Sequence, residues 1–287
     1  MINFYSIKKS DFKIKNKIFK SKKNVIKKNN FILGKEVLDF ESRFSKFCGS
    51  KYAISCSNGT DAITLALLSL DLKKNSEVII PAMTYASTFY AIINAGLKPV
   101  LVDINFDNPL INIDQIKKKI TKKTKVIIPV HLYGSVVDIE LLKKNISKKI
   151  FIIDDCAQAH GAKFKNKKRV GGGNMSDIST FSLYPGKNLG AYGDAGIITT
   201  NSLKFRERIN KIKNIGSSRK FDHETIGFNN RLDTIQASIL IHKLIRLKIL
   251  NKKRVLISNI YSKKISNPKI KLIEYSRFAV YHQFVIK

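Results

Sequence analysis

The chain has 287 residues, of which 44% are apolar, so it is long enough to bury a substantial core and to form one large domain with part of a second. Its formal net charge of +32 would attract nucleic acids and anionic membranes non-specifically. However, the lysines form short clusters along the whole chain, without the interleaved aromatic residues or arginine-rich stripe of nucleic-acid-binding proteins. We therefore predict solvated basic surfaces, with no nucleic-acid partner and no membrane partner.

The cysteine pattern and the first residues bear on location. Cys48, Cys56 and Cys156 have no CxxC spacing, which favours reduced thiols in a cytoplasmic protein and gives no sign of a structural metal. Residues 1–20 interleave lysine with apolar residues, so neither a signal peptide nor a membrane span is predicted. We expect residues 1–30 to form an arm or helix that packs on a partner.

The predicted elements begin with an amphipathic helix between Gly34 and Gly49, where apolar residues recur at helical spacing. A second helix opens at Thr60 and is apolar nearly all round, so it should be buried against a sheet. Short continuous apolar runs follow, and they are typical of strands buried on both faces of a parallel sheet. These runs cover residues 78–80, 100–102, 126–130, 151–153, 178–182 and 196–200.

Helical patterns at residues 84–95, 113–120 and 138–142 separate these strands and predict crossover helices. Beyond Ser202 the pattern becomes long and helical, above all over residues 232–250, and the chain is predicted to end inside a strand at residues 284–286. The predicted fold class is α/β, a three-layer domain with a mainly parallel sheet and an incomplete smaller C-terminal α+β domain. The predicted boundaries are 1–30 for the arm, 31–215 for the large domain and 216–287 for the start of the small one.

The turn from Ser57 to Thr60 leads directly into the second helix. Free backbone N–H groups at a helix N-terminus, with a hydroxyl beside them, can bind phosphate. The alternative is a simple helix cap formed by Ser57 or Thr60, and this turn alone does not decide between them.

Two carboxylates, Asp154 and Asp155, come at the end of the predicted strand that begins at Phe151. Ligand sites form at the carboxyl edge of a parallel sheet. A buried aspartate needs a cationic or hydrogen-bonding partner to stay charged, and a protonated pyridine nitrogen would be one. The alternative is that Asp155 caps the next turn.

Lys187 is the one charged residue between Ile178 and Tyr192, in a chain rich in surface lysine. A lysine held away from bulk water can have a depressed pKa and act as an imine-forming nucleophile. The surrounding residues do not form a nucleotide-binding phosphate loop, because Phe181 stands where its first glycine is required and Asn188 follows the lysine.

Five motifs in order make nearly the whole chain resemble the DegT/DnrJ/EryC1/StrS family of sugar aminotransferases, fold-type I enzymes that use pyridoxal 5'-phosphate (PLP). The motifs are Asn58-Gly59-Thr60-Asp61-Ala62, Pro129-Val130-His131-Leu132-Tyr133-Gly134, Asp155-Cys156-Ala157-Gln158-Ala159-His160-Gly161-Ala162, Tyr184-Pro185-Gly186-Lys187-Asn188-Leu189-Gly190 and Gly227-Phe228-Asn229-Asn230-Arg231-Leu232-Asp233.

The resemblance implies a role for each matching residue. Lys187 would form the Schiff base with PLP and then move the proton between substrate and cofactor carbons. Asp155 would pair with the pyridinium nitrogen and keep the ring an electron sink. Gln158 would lie against the ring or its phenolic oxygen, and Tyr85 would stack from the other side. The phosphate would be held by Gly59, Thr60 and Ser182.

The family also implies a homodimer with shared active sites, because the segment that corresponds to residues 227–232 reaches into the neighbouring subunit. Asn229 and Arg231 would then complete the phosphate pocket in trans. For Arg231 the alternative is an ordinary surface or interface ion pair.

The resemblance further implies amino transfer from L-glutamate to a ketone of a nucleotide-linked sugar, for amino-sugar synthesis in surface polysaccharides such as O-antigen. The residues of these motifs are most similar to those of enzymes that aminate C3 of dTDP-3-keto-6-deoxyhexoses. Tyr184 and Lys220 are candidates for contacting the sugar or diphosphate, although Lys220 could equally be one more solvated lysine.

Three alternatives remain at this point. The enzyme could aminate C4 of a UDP- or dTDP-4-keto sugar, or the chain could be a truncated PLP-binding homologue without turnover. A related dehydratase is disfavoured, because such enzymes normally lack the Schiff-base lysine and Lys187 is present.

Overall fold

A seven-stranded sheet forms the centre of the computed structural model, which describes residues 11–219 and 221–287. The strands lie in the order β1-β7-β6-β5-β4-β2-β3, and β7 alone runs antiparallel to its two neighbours. Their bounds are β1 Tyr52–Cys56, β2 Glu77–Pro81, β3 Lys98–Val102, β4 Thr124–Ile127, β5 Phe151–Asp155, β6 Ile178–Ser182 and β7 Gly196–Thr200.

Helices cover both faces of the sheet. One core contains apolar side chains of α2, α5, α6 and α8, and the other contains those of α3, α4 and α7. The predicted three-layer α/β class with a mainly parallel sheet is therefore confirmed. The helices are α1 Lys15–Lys28, α2 Lys35–Cys48, α3 Gly59–Ser69, α4 Ala86–Asn94, α5 Ile113–Lys119, α6 Ile139–Lys144, α7 Leu203–Lys213 and α8 Thr234–Lys264.

Successive strand residues enter opposite cores, which explains why the strands read as continuous apolar runs. On β2, Ile79 packs into the core beneath α2, whereas Val78 and Ile80 pack into the core beneath α3. On β6, Phe181 packs into the core beneath α2 and Ile178 packs into the core beneath α3. A strand covered on both faces has no solvated side, so alternation of apolar and polar residues disappears.

Helix α2 buries one aromatic face against the sheet. Phe40 and Phe44 are fully buried, and the ring of Phe44 meets that of Phe181 edge-on, with centroids 5.1 Å apart and an interplanar angle of 82°. The helix ends at Gly49, whose φ of 85° is left-handed and therefore favours glycine at this cap. The predicted start and end of this helix are confirmed.

Strand β1 was not predicted from the sequence, because Ala53, Ser55 and Cys56 interrupt its apolar pattern. Ser55 is nevertheless fully buried. The Glu41 carboxylate accepts hydrogen bonds from the backbone N–H and the hydroxyl of Ser55, both at 2.7 Å. The Lys213 ammonium donates to the Ser55 carbonyl at 2.9 Å. Polar groups from α2 and α7 thus satisfy a polar residue inside the sheet.

Three predicted elements differ from those in the structure. The strand predicted at residues 126–130 ends at Ile127, because Pro129 has no N–H to donate to a ladder. The strand predicted at residues 284–286 is wrong, since only one isolated antiparallel bridge, between Leu272 and Ile286, forms there. The helix predicted at residues 232–250 extends from Thr234 to Lys264.

The N-terminal helix packs on its own chain. Ile18 and Val25 of α1 are buried, and α1 lies against α8. The helical form predicted for the arm is present in α1, its packing on a partner stays a prediction, and residues 1–10 lie outside the described residues. The domain division at residue 215 stays a prediction.

All three cysteines are buried free thiols, and burial raises their pKa, to about 12 for Cys56. Across residues 11–219 and 221–287, no helix is long and apolar enough to cross a membrane.

Removing the buried Phe44 ring should leave a cavity between α2 and β6. We expect Phe44→Ala to lower the free energy of unfolding by about 3–5 kcal/mol. Leu38, on the same helix and 66% exposed, is the matched control, and Leu38→Ala should change the free energy by less than about 0.5 kcal/mol. Guanidinium unfolding of the three proteins measures this, and equal midpoints would contradict the assigned core.

Candidate active site

The predicted site residues gather at one edge of the sheet. Strands β1, β2, β5 and β6 are parallel to one another, so their carboxyl ends meet there. The turn before α3 follows β1, Tyr85 follows β2, Asp155 ends β5 and Ser182 ends β6. The fold therefore brings together residues that are more than 100 positions apart in the sequence.

The N-terminus of α3 has two backbone amides that the helix itself does not use. The Asn58 side chain accepts from the backbone N–H of Asp61 at 2.8 Å, and the Asn58 carbonyl accepts from that of Ala62 at 3.1 Å. The cap is thus Asn58, and the alternative cap at Ser57 or Thr60 is wrong. The N–H groups of Gly59 and Thr60 remain for an external acceptor.

Gly59 lies so close to the end of β6 that a side chain would not fit. A Cβ on Gly59 would come within 2.6 Å of the Ser182 Cβ, closer than two carbons can approach. The Thr60 hydroxyl donates to the Ser87 hydroxyl at 2.8 Å. Backbone amides and hydroxyls from α3, β6 and α4 therefore form a compact set of donors that fits a phosphate.

The Asp155 carboxylate is buried at the end of β5 and has a partner on each oxygen. Oδ1 accepts from the Ala157 N–H at 3.0 Å, and Oδ2 accepts from the Thr88 hydroxyl at 2.9 Å. The first of these bonds is the predicted alternative, a cap of the next turn. Burial raises the pKa of Asp155, while both hydrogen bonds and the charge of Lys187 oppose this rise.

Lys187 is partly buried in the loop after β6. Burial lowers the pKa of its amine, and the Asp155 carboxylate partly counteracts this by raising it. The neutral amine, the form that acts as a nucleophile, is therefore more populated near neutral pH than for a surface lysine.

The side chain of Gln158 is oriented by the backbone of the segment after β4. Its Oε1 accepts from the N–H of Tyr133 at 2.6 Å, and Tyr133 has a left-handed φ of 56°. The Gln158 amide therefore directs its N–H groups away from Tyr133. Two other predicted residues, Tyr85 and Tyr184, are 72% and 57% exposed and are free to contact a bound molecule.

Within the described chain, Asn229 and Arg231 contact Asn214 and form no hydrogen bond with Gly59, Thr60 or Ser182. Asn229 pairs with Asn214 in an antiparallel bridge, and Arg231 Nη1 donates to the Asn214 side chain at 3.3 Å. The alternative of an Arg231 ion pair is not observed within the described chain, because this partner is neutral. Arg231 Nε is buried without a hydrogen-bond partner among the described residues. Lys220 lies outside the described residues.

Asp154 points away from Asp155, because successive strand residues face opposite sides of a sheet. It is fully buried, and one of its oxygens lies 3.6 Å from Nε2 of His131. His131 Nδ1 accepts from the Val137 N–H at 3.1 Å, so the ring proton faces Asp154. The two adjacent carboxylates therefore have separate environments.

Sequence reasoning missed Thr88 and a group of polar residues around Asn188. Thr88 could have been found, since it lies one helical turn after Tyr85 at the start of α4. Asn188 hydrogen-bonds to Asn251 and His282, which are separated from it by 63 and 94 positions. No local pattern connects residues at such distances.

The opposing effects of burial and Asp155 on the pKa of Lys187 can be tested. In the protein without cofactor, we expect the Lys187 amine to titrate below the usual range of a lysine, and Asp155→Asn to lower its pKa further by removing the stabilising charge. The pH dependence of Lys187 acylation, followed by peptide mass spectrometry in both proteins, measures this. A Lys187 midpoint that rises or stays constant in Asp155→Asn would refute the interaction.

Similar proteins share this site-bearing fold. The DegT/DnrJ/EryC1/StrS aminotransferase family model matches residues 13–287. A dTDP-3-amino-3,6-dideoxy-alpha-D-galactopyranose transaminase of Aneurinibacillus thermoaerophilus is 42% identical over 290 aligned residues, covering 100% of this chain and 79% of the relative. A UDP-2-acetamido-2-deoxy-3-oxo-D-glucuronate aminotransferase of Pseudomonas aeruginosa is 37% identical, and the alignment covers 100% of this chain and 80% of the relative.

Solved structures agree with the sequence relatives. The crystal structure of S. venezuelae DesV in complex with a ketimine intermediate matches with a TM-score of 0.95 and 32% identity, covering 100% of this chain and 77% of DesV. NtdA from Bacillus subtilis, with bound cofactor PMP, matches with a TM-score of 0.91 and 30% identity, covering 100% of this chain and 66% of NtdA. The match over nearly the whole chain shows that it belongs to the DegT/DnrJ/EryC1/StrS aminotransferase family.

Proposed function

We propose that the chain is a PLP-dependent aminotransferase that transfers an amino group from L-glutamate to a keto carbon of a nucleotide-linked sugar. The observation that carries the proposal is the placement of a partly buried lysine and a buried carboxylate, Lys187 and Asp155, at one sheet edge beside a phosphate-sized set of donors. Family membership and relatives that are sugar transaminases support the same reaction.

The residues present fit PLP at both of its polar ends. The amides of Gly59 and Thr60, with the Ser182 hydroxyl, would hold the phosphate at the N-terminus of α3. A protonated pyridine nitrogen would give the buried Asp155 carboxylate a cationic partner. When bound there, PLP supplies an electron sink for the bond changes at the substrate carbon.

The chain's own residues would bind the cofactor, orient it and move protons. Lys187 would hold the cofactor through its amine and, once freed, would act as acid and base, a role that suits an amine whose pKa is lowered by burial. Gln158, oriented by Tyr133, would contact the ring or its phenolic oxygen, and Tyr85 would cover the other side. The Thr88 hydroxyl and Ala157 amide keep Asp155 in a fixed position.

The sugar acceptor is proposed from the relatives. The Aneurinibacillus protein is a transaminase of a dTDP-3-amino sugar, and we propose C3 of a dTDP-3-keto-6-deoxyhexose as the acceptor here, for amino-sugar and surface-polysaccharide synthesis. Tyr184, which is exposed, and Lys220 are proposed to contact the sugar or diphosphate. A cytoplasmic location is proposed because both substrates are charged metabolites and the three cysteines are free thiols.

A homodimer with shared sites is proposed because, within the described chain, Asn229 and Arg231 contact Asn214 and form no hydrogen bond with Gly59, Thr60 or Ser182. The segment that carries them exposes large apolar side chains, with Ile226 88% and Phe228 41% exposed. Tyr85 and Tyr90, 72% and 59% exposed, form a second apolar surface at the site edge. A second copy that covers both surfaces would bring Asn229 to the neighbouring phosphate.

The reaction is tested by the visible absorption of the purified protein with PLP. We expect the wild type to gain a visible band that L-glutamate removes, and a dTDP-3-keto-6-deoxyhexose then to restore the band with formation of an amino sugar, detected by mass spectrometry. Lys187→Ala should lack the lysine-linked band, whereas the exposed control Lys148→Ala should behave as wild type. Restoration by a 4-keto sugar alone would move the proposal to C4, and no band in the wild type would refute it.

The shared site is tested by mixing two inactive variants. Lys187→Ala retains Asn229, and Asn229→Asp retains Lys187 but places a negative charge against the phosphate. Random exchange of subunits should restore about a quarter of wild-type activity, because half of the dimers are mixed and each has one intact site. If Asn229 acted within its own subunit, the mixture would stay inactive.

A further inference from the structure

We propose that Asn188, Asn251 and His282 are positioning residues for Lys187, which fix the loop carrying the lysine through a buried hydrogen-bond network. This inference rests on the proposed function and concerns the same site. It assigns a role to three side chains that contribute neither to the phosphate site nor to the Asp155 pair.

The Asn188 amide is the centre of the network. Asn188 directly follows Lys187, is 7% exposed, and has partners on both ends of its side chain. Its Nδ2 donates to the Asn251 side-chain oxygen at 3.0 Å and to the Val280 carbonyl at 3.4 Å. Its Oδ1 lies 3.0 Å from Nδ1 of His282. A buried amide with all of these bonds has one favoured orientation.

Asn251 extends the network to the loop that follows Asp155. Its Nδ2 donates to the His160 carbonyl at 2.8 Å, from a buried position on α8. A Cβ on Gly161 would lie 3.1 Å from this nitrogen, so the backbone approaches it closely. Helix α8 therefore ties the loop after β5, which begins at the Asp155 carboxylate, to the loop after β6, which carries Lys187.

The hydrogen-bond pattern fixes the state of His282. Because Nδ2 of Asn188 faces two oxygen acceptors, its Oδ1 faces His282, and Nδ1 of His282 must donate. Burial and the charges of Lys187 and Arg254 lower the pKa of His282 to about 3, so its ring is neutral at physiological pH. Arg254 also donates to the His282 carbonyl at 3.1 Å and holds its backbone.

His160 is a second neutral imidazole near the lysine. It is fully buried, and burial together with the charge of Lys187 lowers its pKa to about 3. The rings of His160 and His282, both uncharged at physiological pH, and the Asp155 carboxylate therefore lie within electrostatic range of Lys187. The network can hold the lysine loop without adding positive charge, which would oppose binding of a protonated pyridine ring.

The donor of His282 and the bulk of its ring can be separated by substitution. His282→Asn keeps an N–H donor near the position of Nδ1, whereas His282→Phe keeps an aromatic ring without a donor. Asn251→Ala removes the link to His160, and Asn251→Ser is a milder second variant. Asn259 lies on the exposed side of the same helix, and Asn259→Ala is the matched control.

The measurement is the rate at which the full chain without cofactor binds PLP covalently at Lys187, where the amine condenses with the aldehyde and water is released. Borohydride trapping and peptide mass spectrometry identify the lysine. We expect His282→Phe to slow this step about fivefold to tenfold, the effect of losing one net hydrogen bond. Both Asn251 variants should slow it at least as much, because Asn251 takes part in two hydrogen bonds of the network. His282→Asn and Asn259→Ala should match the wild type.

The outcomes separate this inference from the proposed function. If the wild type does not bind PLP at Lys187, the proposed function fails. If the wild type binds it and His282→Phe binds it as fast as His282→Asn, or a folded Asn251 variant as fast as Asn259→Ala, the positioning role is overturned. Thermal unfolding of each protein without cofactor identifies folded variants, and a general loss of stability would slow His282→Asn as much as His282→Phe.

Discussion

The Asp155 carboxylate is buried at the carboxyl end of β5, and the surrounding site is organised so that this charge can stay there. Burial alone favours the protonated acid, and a hydroxyl from α4, a backbone amide from the following loop and the nearby lysine all oppose it. Each of these groups comes from a different part of the chain. The parallel sheet brings them together, because it aligns the ends of β2, β5 and β6 at one edge.

The same burial acts in opposite directions on the two charged side chains. It raises the pKa of Asp155 and lowers that of Lys187, so burial shifts each side chain toward its neutral form. A cationic ring beside Asp155 would offset this shift for the carboxylate, and the N-terminus of α3 would take a phosphate. A bound molecule with a cationic ring and an anionic phosphate would therefore complement the site at both ends.

The sequence predicted elements whose signals are local. The bounds of β6 and β7 match the predicted ones, and α2 ends at its glycine, because apolar runs and caps depend on neighbouring residues. Strand β1 escaped prediction, since Ser55 is polar and becomes satisfied only by Glu41 and Lys213 from other elements. The site motifs were recognisable in sequence, whereas the bonds among Asn188, Asn251 and His282 depend on the tertiary fold.

The three buried thiols have a practical consequence for experiments on assembly. Because Cys48, Cys56 and Cys156 are buried and have raised pKa values, their thiolate forms are scarce and shielded from reagents. A cysteine introduced at an exposed position outside the two apolar surfaces, such as Lys148, would therefore react selectively with a maleimide dye. Energy transfer between subunits labelled in this way could follow their association in real time, without first replacing any native cysteine.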